Sequence, residues 1–353
     1  MRLSQPTRRR ALTLILAAAG TAFFWWLDLP LPFLFGPMAA CLIAALSNVP
    51  IKGFGQVSVA ARTILGVAVG ASITPDLFHQ LPQMAMSVAL VPVFIALIGI
   101  IGVPFFRHVW GFDAPTAYYA AMPGGLQDMV IFGTEAGGDP RALSLIHATR
   151  VLIIVTLAPV FLTLAYGAGL TNPIGAPVTE LPVREMALMA AAALIGWKGG
   201  ERIGLFGASI LGPMIVTTLM SLAGLIHSRP PAEAILAAQF FIGCGIGVHF
   251  LGVTWGELTR VVLAGIAYVL VLAVLAAGFT GLVTWAGLGD PVEAFLAFAP
   301  GGQAEMTVLS IIAGADLGFV IVHHLTRILL VITGAPIAAR LFRVKDAGPR
   351  GPG

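Results

Sequence analysis

The sequence predicts an all-α polytopic membrane protein made of two homologous repeats of five to six transmembrane segments, each with a Pro-Gly-Gly-broken helix. Three observations predict it. Of the 353 residues, 58% are apolar and only 10% are charged, whereas an ordinary soluble domain carries about 25% charged residues. Runs free of acidic and basic residues at 80–106, 151–179, 203–226 and 261–289 reach the roughly 20 residues that a helix needs to cross a bilayer. The chain also matches itself nearly end to end at an offset of 176 or 177 residues, as an internal duplication does. The runs are continuous rather than alternating, which argues against a transmembrane β-barrel.

Taken in order, the segments of the first half lie near 11–27, 33–48, 57–75, 83–106, 114–136 and 141–165. Those of the second lie near 186–198, 203–226, 234–252, 260–286, 291–314 and 317–341. The first has the basic start and small-residue end of a signal peptide, but Ala11–Gly20 falls on Ala187–Gly196, so it reads as a retained membrane segment. In the second, Phe35-Gly36-Pro37-Met38 matches Leu211-Gly212-Pro213-Met214, and in the third Gly66 and Gly70 match Gly243 and Gly247. Asp113 and Asp290 head the fifth segments, which are interrupted at Pro123-Gly124-Gly125 and Pro300-Gly301-Gly302. Proline removes a backbone donor and glycine gives no helix support, so each fifth segment is expected to be two half-helices. The sixth segments share His147-Ala-Thr-Arg150 and His324-Leu-Thr-Arg327. The predicted organisation is membrane repeat 1 over 1–168, a Pro/Gly/Thr-containing linker over 169–185, membrane repeat 2 over 186–342 and a cytoplasmic tail over 343–353.

The net charge of +3 comes largely from the ends, Arg2, Arg8, Arg9 and Arg10 at the start and Arg340, Arg343, Lys345 and Arg350 at the finish. This is the positive-inside pattern for two cytoplasmic termini, not a nucleic-acid footprint. If the fifth segments cross, the halves are parallel and Arg141, Lys198, Arg202 and Arg260 fall outside. If they are re-entrant, the halves are inverted and only Arg184 and Arg229 do, which the positive-inside rule favours. Six tryptophans, including Trp25, Trp110 and Trp285, sit near segment ends as interfacial anchors. Cys41 and Cys244 lie in apolar runs without metal or redox spacing and read as small core residues.

The expected substrate- or ion-binding residues are Pro123, Gly124, Gly125, Asp128, His147, Arg150, Pro300, Gly301, Gly302, Glu305, His324 and Arg327. Matched broken helices are the sequence pointer to a transport site, because they free backbone groups near the membrane midplane. Asp128 and Glu305 follow the breaks in the first turn of the next half-helix. Each reads either as an N-terminal structural acid or as a cation or proton site. A buried arginine needs neutralising, and Asp128 and Glu305 are the expected counter-ions of Arg150 and Arg327. Arg62 aligns with Gln239, so the symmetry is broken there. His147, His249, His323 and His324 lack metalloenzyme spacing, and no nucleophile or phosphate-loop motif stands out. No enzyme activity, metal or cofactor is therefore expected.

At the Gly-Pro-Met blocks, the Pro-Gly-Gly motifs and the His-x-x-Arg stretches, the sequence resembles the AbrB-duplication integral membrane family, bacterial aidB-regulator-like, from about Ala11 to Phe342. That family is distinct from the small DNA-binding transition-state regulator sharing its name. The resemblance implies two labels, regulator of gene expression and ammonia monooxygenase, and no assigned site residues. Neither label follows from the residues: the soluble segments are too short for a DNA-binding element, and no copper or iron ligand set is visible. The resemblance implies a multi-pass protein of the bacterial inner (cytoplasmic) membrane, and the expected function is secondary transport of a small polar or anionic solute, coupled to protons. The alternatives are a membrane-embedded regulator acting indirectly and, last, the monooxygenase. Expected partners are the lipid bilayer and a small-molecule or ion substrate, with no nucleic acid; a homo-oligomer is compatible with the sequence.

Overall fold

The computed structural model describes residues 5–29, 31–73, 75–205, 207–342 and 344. The predicted tail over 343–353 thus lies, Val344 apart, outside the described residues, as do Arg2, Arg343, Lys345 and Arg350. The described residues are helical with no strand. In chain order the helices are α1 (Gln5–Trp26), α2 (Pro32–Leu46), α3 (Gln56–Ala71), α4 (Pro75–Pro104), α5 (Ala114–Ala121), α6 (Leu126–Glu135) and α7 (Pro140–Tyr166). They continue with α8 (Val183–Arg202), α9 (Ala208–Leu222), α10 (Ala232–Val248), α11 (Trp255–Glu257), α12 (Leu263–Trp285), α13 (Pro291–Phe298), α14 (Gln303–Ala313) and α15 (Leu317–Leu341). π-helical turns at Phe105–Val109 and Leu258–Val262 extend α4 and join α11 to α12.

Among the described residues, four stretches are long and apolar enough to cross a membrane: Leu81–Val109, Pro140–Tyr166, Trp255–Trp285 and Leu317–Leu341, of 29, 27, 31 and 25 residues. The sequence predicts α2, α3, α9 and α10 to be crossing segments as well. They are apolar but stop at 15, 16, 15 and 17 residues, because turn residues such as Ser47, Ser72 and Ala223 close their last turns through backbone bonds.

The chain divides into two compact units, and these are not the two sequence halves. One unit takes 1–82, 159–253 and 307–318; the other takes 83–158, 254–306 and 319–353. The first contains α1–α3 and α8–α10, packed where glycines remove the side chain. A Cβ on Gly20 would strike the Gly36 carbonyl, and one on Gly196 would strike the Gly212 backbone, so α1 lies directly on α2 and α8 on α9. Gly66 and Gly70 of α3 lie against Ile210 and Met214 of α9, while Gly243 and Gly247 of α10 lie against Leu34 and Met38 of α2. Small residues let apolar helices approach to close van der Waals contact. Buried Cys41 and Cys244 are free thiols of α2 and α10.

In the second unit, the Asp139 N–H donates to Thr116 Oγ1 at 2.7 Å, which sets the end of α6 beside the start of α5. The Arg141 guanidinium meets Glu257 at 2.8 Å, linking the starts of α7 and α11. Arg260 donates to the Gly111 carbonyl at 3.1 Å, bringing the end of the α4 stretch to the same place. At the start of α13, a Cβ on Gly289 would sit 2.8 Å from the Phe319 ring of α15.

Candidate functional site

α5 begins at Asp113, whose carboxylate accepts from the Thr116 N–H at 2.8 Å, a good N-cap. It ends because a residue before proline is pushed out of the helical region: Met122 has φ −65° and ψ 134°. Gly125 is also extended and opens α6. The same physics ends α13, where Ala299, before Pro300, has φ −57° and ψ 128°. Each interruption leaves the last carbonyls of one short helix and the first amides of the next without helical partners.

The sixth-segment arginines take the carbonyls. Arg150 Nη1 donates to Met122 O at 3.2 Å and Nη2 to Gly124 O at 2.6 Å. Arg327 Nη1 donates to Ala299 O at 2.8 Å and Nη2 to Gly301 O at 2.9 Å. One turn earlier, His147 Nε2 meets Tyr119 O at 3.1 Å and His324 Nε2 meets Leu296 O at 2.9 Å. A carbonyl only accepts, so each ring bears its proton on Nε2. The Nδ1 of His324 then accepts from Arg327 Nη2 at 3.2 Å. The contacts repeat with the same residue separations, 28 and 26 for each arginine.

Asp128 and Glu305 occupy the first turns of α6 and α14. Their carboxylates fold back over Gly125 and Gly302, where any side chain would collide with them. The expected Arg–carboxylate pairing is not the arrangement found: no ion pair among the described residues joins Arg150 or Arg327 to an acid. The reason is the interruption itself. The carbonyl end of the first half-helix carries partial negative charge and draws the guanidinium, while the amide end of the second draws the carboxylate.

Burial makes this costly unless it is satisfied. Arg150 is 3% and Arg327 4% exposed, with His147 and His324 at 0% and 1%. Pro123, Gly124, Pro300, Gly301 and Glu305 are buried, Asp128 and Gly302 half-buried, and Gly125 exposed. The Nε atoms of both arginines, Nδ1 of His147 and Oγ1 of Thr149 are buried without a hydrogen-bond partner. Thus each half of the predicted set is assembled around its own interruption.

Sequence reasoning missed Tyr268. Its hydroxyl, 1% exposed as a residue, bonds Ala121 O at 3.0 Å and Ile98 O at 3.2 Å, and it fills the space beside Gly102. It holds the last helical carbonyl of α5. A lone tyrosine inside the apolar run 261–289 was the available signal, because a buried phenol needs a partner.

The family described as "Transition state regulatory protein AbrB" matches residues 33–343. A protein of Bacillus subtilis (strain 168) named "Uncharacterized protein YhjN" is 25% identical over 303 residues, 80% of this chain and 77% of that one. A protein of Escherichia coli (strain K12) named "Putative regulator AbrB" is 23% identical over 326 residues, 90% of this chain and 92% of that one.

Proposed function

The chain belongs to the AbrB family, and from that premise we propose that it is an inner-membrane secondary transporter of a small polar or anionic solute, coupled to protons. The observation that carries the reading is the matched pair of arginine-clamped interruptions. Discontinuous helices at corresponding positions hold substrate and coupling ions in many carriers, since their free ends present polar backbone inside the membrane.

We read 1–168 and 186–342 as inverted repeats joined by the linker 169–185. The bond between Asp139 and Thr116 supports a first Pro-Gly-Gly segment that returns to the side it left. The approach of Gly289 to Phe319 supports the same for the second. With the shorter apolar helices α2, α3, α9 and α10 counted as crossings beside α1, α4, α7, α8, α12 and α15, since a bilayer can thin around a short span, each half crosses five times and the two are inverted. Arg141 and Arg260 share the side where α4 ends and α7 and α11 begin, and the positive-inside rule makes that side cytoplasmic, with both termini. Asp128 and Glu305 are the proposed proton sites, as ionisable groups at membrane depth commonly are.

The test is proton-linked uptake into proteoliposomes, screening small organic acids, amino acids and ammonium, with an Asp128→Asn/Glu305→Gln double variant beside the native chain. Uptake that the double variant loses while staying folded supports the reading. A folded native protein that moves none of them overturns it. A second reading, a membrane-embedded regulator, draws on the family's description and the name of the E. coli relative. It predicts no flux and a partner protein that binds the folded chain.

A further inference from the structure

The clamp residues are duplicated along the chain, but one charged cavity is not. In the second unit a cavity of about 810 Å³ lies between the end of α6 and the last turns of α15. Phe132, Pro336 and Ala339 give it apolar walls, Tyr119 contributes a phenol ring, and Glu135 and Arg340 face it with opposite charges. Its size falls within the range of small-molecule sites, roughly 300–1,000 Å³.

Glu135 and Arg340 do not pair with each other: no ion pair among the described residues joins them, yet both line the same cavity as Tyr119. Glu135 is the last residue of α6, the end at which the helix dipole disfavours an acid, so local helix physics does not account for it. At the offset of 177 the counterparts of Tyr119, Phe132, Glu135 and Arg340 are Leu296, Leu309, Ile312 and Thr163. Glu135 of the first half and Arg340 of the second therefore each lack a charged counterpart in the other half, unlike Arg150 and Arg327. A site where the duplication has been broken is where a ligand preference can reside.

We propose that this cavity binds a small zwitterion, its carboxylate on Arg340, its ammonium on Glu135 and its apolar side chain against Phe132 and Pro336. Two opposite charges too far apart to pair are bridged best by a molecule that carries both, and each bond so made is charge-assisted. The site is wired to the interruption. The same Tyr119 that lines the cavity gives its carbonyl to His147, one turn from Arg150. Binding is inferred from the cavity alone and holds whether the chain moves its ligand or only senses it.

The experiment is equilibrium binding to the purified full chain in detergent, by calorimetry, with alanine, leucine and phenylalanine. Each is set against its analogue lacking the amino group and its analogue lacking the carboxylate; for leucine these are 4-methylpentanoate and isoamylamine. At least one zwitterion is expected to bind roughly tenfold or more tightly than either of its analogues, the worth of one charged hydrogen bond. Glu135→Gln should bring that zwitterion down to the affinity of the des-amino analogue, and Arg340→Gln down to that of the amine. Both residues are exposed helix-end positions, and a thermal melt of each variant checks that it folds. Equal affinities across a set, no binding by any zwitterion, or zwitterion binding untouched by both substitutions overturns the proposal. Loss of uptake in the Asp128/Glu305 variant with zwitterion binding intact separates this site from the transport reading.

Discussion

Arg150 donates to the carbonyl of Gly124 at 2.6 Å across an interruption that the Pro-Gly-Gly sequence itself creates. The residue that opens the helix and the residue that ties it are 26 positions apart, and Arg327 stands in the same relation to Gly301 at 2.9 Å. A backbone carbonyl buried without a partner costs about 1–3 kcal/mol, and a bond from a charged donor returns a similar amount.

Removing the guanidinium should therefore destabilise the fold. Arg150→Met is expected to cost roughly 2–5 kcal/mol, because it removes the donor from two buried carbonyls, those of Met122 and Gly124. Arg327→Met should cost a similar amount, and Arg150→Lys should fall between, since an ammonium cannot span both acceptors as a planar fork does. Thermal unfolding in detergent measures all three. Methionine variants as stable as the native chain would show that the carbonyls find other partners.

Glycine spacing carries the packing of the first unit. A Cβ on Gly212 would meet the Gly196 backbone, and backbone cannot swing aside. Gly212→Val should thus prevent α8 from seating on α9, costing about 3 kcal/mol or more, at the upper end of overpacking penalties. Gly281 of α12 has nothing within 4 Å, and Gly281→Ala should be neutral or stabilising by up to about 1 kcal/mol, since alanine is the better helix former. Yields of monodisperse protein and melting temperatures read the contrast; equal loss in both would refute the packing argument.

Acid should loosen one corner of the first unit. Burial alone would push the Glu185 carboxyl up, but the His227 and Ser228 N–H groups and the His227 ring bond it and hold it below the usual carboxylate range. A carboxylate with a lowered folded-state pKa contributes stability that is fully present above its unfolded value, about 4.3, and is lost as pH falls through the lower folded value. Melts between about pH 6 and pH 3 should show the native chain losing more stability than Glu185→Gln. Parallel curves would mean that the contact is not populated in solution.

Several features were legible in the residues. Composition marked the long apolar helices, and α5, α6, α13 and α14 begin and end within a few residues of the places where proline, glycine and Asp113 or Asp290 stand. Such signals are local, because a proline acts on its own turn and its predecessor. The partner of each arginine was not legible. Charge alone pairs Arg150 with Asp128, but the structure sends the cation to the carbonyl end of α5 and the acid to the amide end of α6. That choice depends on where helix ends lie in space, and no spacing rule in the sequence contains it. Tyr268 was overlooked for the same reason, since its two acceptors are 147 and 170 residues away.

By itself, then, the sequence determined the long apolar helices of this chain, the family to which it belongs and the positions at which its helices break. Those follow from composition and from residues acting on their neighbours. The tertiary structure decided that α3 lies on α9 and α10 on α2, that each compact unit draws on both halves of the chain, and that Glu135 and Arg340 share one cavity. These outcomes turn on steric fit between glycine faces and on which helix ends meet, and such matches form between segments far apart along the chain.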